Sequence, residues 1–357
     1  MRKLLILASI LLVATLFLAA CGGGGNDTEP VPVDPGTAVE DVDVETPDVD
    51  VPDDVIDDEP EDDNGDEPAN VNGDSFFFGY TSMTQLNPFF VILEESIRDV
   101  VEANGHTMVT MNPAMDVEVQ INQIEDMIAQ GIDAIFLNPV DWEGITPALI
   151  MLQDAGIPII NYDAEVYEID RVTTFVGSDN RNAGRVIGED LVERFPDGGQ
   201  IAILDSPTMN SVIDRVDGFL EAIEGAPFEI VFQNDARGDL ETALGLADDL
   251  LIAHPDVIAI IGGNDPSALG ALAAVTAAGR TEIAIYGVDG SPDAKAAMAA
   301  GGPFMASGAQ SPISIGRMSA EAAMQILAGE TVPDRIPVET FLINQENVEE
   351  FGVDGWQ

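Results

Sequence analysis

The sequence predicts an α/β protein whose body is built from doubly wound parallel sheets and divided into two similar domains. Three observations carry this. From residue 75 onward, short apolar runs alternate with segments of helical period, the pattern of parallel strands linked by covering helices. The alternation restarts after Thr173-Thr174-Phe175-Val176-Gly177. The body of 283 residues is also too long for one such layer.

The elements follow in order. Phe76 to Tyr80 reads as a strand, and Pro88 to about Ala103 as a helix with Phe90, Leu93, Ile97 and Val101 on one face. Thr107 to Met111, Ala134 to Leu137 and Pro158 to Tyr162 are strands, separated by helices over Val117 to Gln130 and Ile145 to Ala155. After the restart, helices are expected over Asn182 to Arg194, Val212 to Ile223, 241–253 and 267–278. The strands between them are Ile201 to Leu204, Phe228 to Phe232, Val257 to Ile261 and Ile283 to Tyr286. Gly156, Gly279 and Gly287 fall where helices stop or strands turn.

Ahead of the body, Arg2 and Lys3 precede an apolar run from Leu4 to about Phe17, the order of a secretory signal. The run is short for a stable span, which needs roughly 20 residues. Leu18-Ala19-Ala20-Cys21 resembles the lipobox of bacterial lipoproteins, which implies a signal peptide over 1–20 and a lipid on Cys21. Cys21 is the only cysteine, so no intramolecular disulfide is expected. Residues 22–74 hold 20 acidic residues and no Lys or Arg, and read as a disordered tether. They lack the spaced ligands and turn glycine of a calcium loop.

The body carries 45 Asp and Glu against 11 Lys and Arg, with Lys295 its only lysine. That balance excludes nucleic acid, whose binding rests on neutralising phosphates. No Gly-x-Gly-x-x-Gly follows the first strand and no phosphate-cradling Gly-Lys-Ser/Thr loop is present, so a nucleotide enzyme is not expected. His106 and His254 have no Cys or carboxylate partners at metal spacing, and Ser206 lacks a nucleophile elbow, so neither a metal nor a catalytic set is expected. No cofactor is expected.

Ligands of open parallel sheets bind beyond the carboxyl ends of the strands. The residues just past the apolar runs are polar or aromatic: Asn87, Phe89 and Phe90, then Asp163, Asn264, Asp289 and Gln310. Asp and Asn each bond two neighbouring hydroxyls, and a phenyl ring covers a C–H face, which suits a sugar or polyol. Singly, Asp163, Asn264 and Asp289 also read as turn or helix caps, and Phe90 as core.

The body resembles the ribose-type (type 1) periplasmic binding proteins of ABC transporters, through Asn87-Pro88-Phe89-Phe90, Ala253-His254-Pro255-Asp256-Val257, Asn264-Asp265-Pro266-Ser267-Ala268-Leu269-Gly270-Ala271 and Gly287-Val288-Asp289-Gly290-Ser291-Pro292-Asp293. The resemblance implies two lobes that close on a sugar about three hinge crossings, near Gly177 to Asp179, near Gln310 and near Arg335 to Pro337. The implied N-terminal lobe is 75–178 plus 311–335, and the C-terminal lobe 179–310 plus 336–357. Contact roles pass to Asn87, Phe89, Phe90, Asp163, Asn264, Asp289 and Gln310. The implied partners are a sugar or polyol and an ABC permease, for a monomer outside the cytoplasm, lipid-anchored to the cell membrane. A sensory or chemotaxis lipoprotein, or a nucleoside-binding one, are the alternatives.

The chain departs from the family at three places. Ala164 stands where an arginine usually follows the aspartate, Ile213 where the helix starting near 212 carries another, and Gly238 where an aromatic wall is expected. With both arginines missing, the pocket is expected to be rich in acceptors and to prefer a polyol, deoxy sugar or amino sugar over ribose. Arg237 is the one cation placed to compensate.

Overall fold

A computed structural model describes residues 75–357. The expected signal, Cys21 and the acidic tether lie outside the described residues. The first sheet has the order β11-β5-β4-β3-β1-β2, from β1 (Phe77–Thr81), β2 (Thr107–Met111), β3 (Ala134–Leu137), β4 (Ile159–Tyr162), β5 (Thr174–Ser178) and β11 (Arg335–Val338), all parallel. The second has the order β12-β10-β9-β8-β6-β7, from β6 (Gly199–Asp205), β7 (Phe228–Asp235), β8 (Val257–Gly262), β9 (Ala284–Asp289), β10 (Phe304–Ala309) and β12 (Phe341–Asn344). Only β12 runs antiparallel to its neighbour. The two expected α/β domains are therefore present.

Local chemistry sets the elements. In α1 (Pro88–Ala103), Asn87 accepts a bond from the Phe89 N–H and Pro88 supplies a first-turn φ, while Phe89, Phe90, Leu93, Ile97 and Val101 form the buried stripe. In α2 (Val117–Gln130), Asp116 caps the start and Gly131 ends the helix in the left-handed region. The strands β3 and β4 are buried at every residue, because helices cover both faces of a parallel sheet. The remaining helices are α3 (Thr146–Asp154), α4 (Asn180–Arg194), α5 (Asn210–Ala222), α6 (Leu240–Ala253), α7 (Asp265–Ala277), α8 (Pro292–Ala299), α9 (Pro312–Leu327) and α10 (Val348–Phe351). His254 ends α6, its N–H bonded to the Leu250 carbonyl.

The chain passes between the sheets three times. β5 leads through Asp179 into α4, which packs on the second sheet. β10 leads through Gln310 and Ser311 into α9, which packs on α1, β4 and β5 of the first. β11 leads through Glu339 and Thr340 into β12. The last passage differs from the expected one near Arg335 to Pro337. Those residues still pair with Phe175 to Gly177 of β5, so the first lobe keeps the chain through Val338 rather than releasing it after 335.

One helix crossing positions the site. A Cβ on Gly184 of α4 would lie 1.8 Å from the Arg215 carbonyl oxygen of α5, and a Cβ on Gly218 of α5 would lie 1.9 Å from that of Arg181. The two helices touch backbone to backbone at a reciprocal pair of glycines.

Candidate functional site

In each sheet the strand order reverses direction once, between β1 and β3 and between β6 and β8. Crevices at such points are where open α/β sheets take ligands. The loops leaving these strands at their carboxyl ends face one cleft between the lobes. The first lobe supplies Met83, Asn87, Phe89, Phe90 and Asp163 to an inner cavity, and the second supplies Met209, Arg215, Asn264 and Asp289 among others. Six of the seven expected contact residues thus line one space. Gln310 sits directly behind it, donating from Nε2 to Asp289 Oδ1 at 2.8 Å.

Each polar group has a definite task. Asn87 spends its Oδ1 on the α1 cap. Asn264 caps α7 through the Ser267 N–H and donates to the Gly238 carbonyl at 3.0 Å, so the cap reading holds for it as well as the pocket one. Asp289 accepts from Gln310 at Oδ1 and from the Asp265 N–H at Oδ2. Asp163 accepts from Asn138 Nδ2 at 3.0 Å through Oδ2, while its Oδ1 is buried without a partner. Asn138 Oδ1 and Gln310 Oε1 are likewise buried and unpartnered. Buried polar atoms are nearly always bonded, so the unpartnered Oδ1 of Asp163, which lines the cavity, points to a hydroxyl or amine donor from a ligand.

The backbone supports this reading. Five non-glycine residues have positive φ among the described residues: Ala114, Met115, Asp163, Arg237 and Asp289. The last four line the cleft. Strained backbone of this kind persists where the surroundings over-determine it, and it gathers at ligand sites.

The structure corrects the expected loss of both arginines. Arg215 of α5 is buried in the inner cavity. It donates from Nε to Asn180 Oδ1 at 2.8 Å, from Nη1 to the Gly263 carbonyl at 2.9 Å, and from Nη1 to Asp289 Oδ1 at 3.4 Å. Ile213, the position that the resemblance gives to an arginine, carries no charge and is not on the cavity wall; the guanidinium comes instead from Arg215, two residues on in α5. A signal for it exists in the sequence: Val212, Arg215, Val216 and Phe219 share one buried stripe, and a cation in an apolar stripe needs an anionic partner. Ala164 is buried and brings no charge. Asn138 was also missed, because one Asn after a strand carries no spacing signal.

The site is electrostatically lopsided. Two buried carboxylates, Asp163 and Asp289, line the inner cavity with one buried guanidinium, and a third, Asp265, lies behind, accepting from the Ser291 N–H and Ser307 Oγ. Burial pushes all three carboxyls above their ordinary range. Arg215 works against this at each, with Asn138 also helping Asp163 and Ser291 and Ser307 helping Asp265. Asp289 is pushed up to about 8.

The inner cavity measures about 20 Å³ with the lobes as they stand, room for little more than a water, so a sugar ring enters it only as the lobes part. A backbone bond from the Trp142 N–H to the Thr208 carbonyl (3.2 Å) joins them at the rim. Outside lies a larger space of about 330 Å³ that shares Met83, Asn87, Phe90, Met209 and Asn264 with the inner one. Arg237 lines this outer space rather than the inner cavity.

Comparison with known proteins agrees with this architecture. A family model described as a periplasmic binding protein domain matches residues 78–331. The ribose import binding protein of Bacillus subtilis (strain 168) is 32% identical over 272 residues, covering 76% of this chain and 88% of that protein. A solute-binding protein of an ABC transporter from Mycobacterium smegmatis, solved with glycerol, superposes with a TM-score of 0.74 at 32% identity, over 78% of this chain and 96% of that one. One from Bacillus halodurans C-125, solved with myo-inositol, gives 0.73 at 28% identity, over 78% and 99%.

Proposed function

The chain belongs to the periplasmic binding protein family, and we propose that it captures a neutral sugar or polyol between its lobes and delivers it to an ABC permease as a lipid-anchored, monomeric receptor. It is a carrier, not an enzyme. The observation that carries the choice of ligand is the buried, unpartnered Oδ1 of Asp163 facing Arg215 and Asp289 across the cleft. Hydroxyls donate to the carboxylates and accept from the guanidinium, so a polyhydroxylated ring satisfies both kinds of group at once. The proposed contacts are Asn87, Phe89, Phe90, Asp163, Arg215, Asn264, Asp289 and Gln310. Opening and closing is proposed to turn about Asp179, Gln310 to Ser311 and Glu339 to Thr340.

A thermal-shift screen of the purified protein against sugars and polyols tests this. A true ligand at 100 times its dissociation constant adds about 2.7 kcal/mol of stability. Alanine at Asp163, Asn264 or Asp289 is then expected to weaken binding at least ~10-fold, since each leaves ligand hydroxyls or protein partners unpaired at about 1–3 kcal/mol. Titration showing unchanged affinity in all three variants refutes the site.

Anchoring is proposed through a lipid on Cys21, the one thiol that the sequence offers. Cys21→Ser is expected to abolish incorporation of labelled fatty acid. A labelled variant shows that attachment does not use this residue.

A further inference from the structure

We infer that the outer space of the cleft is a subsite for an apolar substituent, so that the preferred ligand is a glycoside with an apolar aglycone rather than a free monosaccharide. This rests on the sugar-binding reading and adds a substrate class to it. The inner and outer spaces differ in chemistry. The inner one gathers Asp163, Arg215, Asn264 and Asp289. The outer one is walled mainly by Leu86, Met115, Leu240, Pro266 and Leu269, with Arg237, Asp239 and Asp293 among its polar residues. A site for a bare sugar has hydroxyls on every edge and gains little from such walls.

The outer space exists because a side chain is missing. Gly238 lies at its edge with φ +64°, and a Cβ there would meet Asn264 Nδ2 at 3.0 Å and Met209 Cε at 3.6 Å. A large residue at this position would occupy the space. Instead about 330 Å³ is left, continuous in its walls with the sugar pocket through Asn87, Phe90 and Asn264. A side chamber of about 100 Å³ extends past Pro266 and Leu269 to Trp356, whose ring sits 5.6 Å from that of Phe89. The rim is apolar even at the surface: Leu86 is 88% exposed and Leu240 41%, two of seven large hydrophobics so exposed among the described residues. In a body with 45 acidic residues, two exposed leucines at the mouth of a ligand pocket have an occupant to explain. A ring hydroxyl held by Asp163 or Asp289 leaves the substituent on the far edge of the sugar to fill this space.

The test is calorimetric titration of the full mature chain with D-ribose, D-allose and D-fucose, each as free sugar, methyl glycoside and phenyl glycoside in both anomers. At least one phenyl glycoside is expected to bind at least about 10-fold tighter than its free sugar, with the methyl glycoside between them. Leu269→Asp is expected to cancel that gain while free-sugar affinity stays within about 3-fold. Leu86→Asp, at a fully solvated position that does not bear on folding, is expected to reduce it in the same direction. Free sugars binding as tightly as their glycosides, or a gain that survives both variants, overturns the inference and leaves the sugar-carrier reading standing. Uridine or adenosine binding tighter than the phenyl riboside overturns it in favour of a polar heterocycle. Silence from every compound sinks both readings together.

Discussion

Arg215→Met is expected to abolish ligand capture and to lower stability by about 3–5 kcal/mol at slightly alkaline pH, the cost of removing one member of a buried ion pair. The side chain is buried, and its guanidinium is the cation of a pocket lined by Asp163 and Asp289. Methionine keeps the volume but strips bonds from Asn180 Oδ1 and the Gly263 carbonyl. Arg215→Lys is expected to recover only part of the loss, because a single ammonium does not reproduce the guanidinium fork.

The pH dependence has a definite sign. The folded-state pKa of Asp289 lies above its ordinary value, so its stabilising contribution is complete below the unfolded carboxylate value of about 4 and is lost as pH rises through about 8. Arg215 pulls that pKa down; without it the value climbs further, and the loss continues to higher pH. The gap between wild type and Arg215→Met is therefore flat at acid pH and widens as pH rises through about 8. Urea titrations from pH 5 to pH 9, with calorimetry for the ligand, check both parts. A variant that binds within about 3-fold of wild type, or a gap that narrows with rising pH, contradicts the role assigned to this residue.

Gly184→Ala is expected to cost at least as much as ordinary overpacking, about 1–3 kcal/mol, and to weaken ligand binding together with stability. The new methyl would sit 1.8 Å from a backbone carbonyl oxygen, which no rotamer change relieves. The helices must separate, and the one displaced, α5, carries Arg215. Gly218→Ala meets the reciprocal contact at 1.9 Å and is expected to behave alike. Gly245→Ala is the control: it lies within α6 with nothing within 4 Å of its added Cβ, so the higher helix propensity of alanine is expected to leave stability unchanged or raise it by up to about 1 kcal/mol. Thermal melts of the three variants decide it. Gly184→Ala melting like Gly245→Ala would show that the crossing has slack the distances deny.

Much of this protein is legible along the chain. Hydrophobic period is a local property, and so are caps and breakers. Asn87 and Pro88 start α1, Asp116 and Gly131 bound α2, and the runs at 107–111 and 134–137 are strands in sequence and in space. From alternating elements a parallel sheet follows, and from the parallel sheet the end at which ligands bind. Asn87, Asp163, Asn264 and Asp289 were found by that rule, and they meet at one cavity.

What the chain alone does not determine is which residues of a helix reach the site and what fills a space. Ile213 holds the position that the resemblance gives to an arginine, and only packing shows that Arg215, two places on, brings the charge to the cavity. The extent of β11 was misjudged for a related reason: a four-residue edge strand has no period of its own, and its pairing with β5 decides where it ends. Gly238 and Trp356 lie far apart in sequence, and only the folded chain sets them around one cleft, the first by leaving volume and the second by enclosing it. Sequence determined the layers and the end of the sheets at which the cavity lies. Tertiary packing decided which charges face one another there, because burial and partner distance, not residue type, set the energy of a charge.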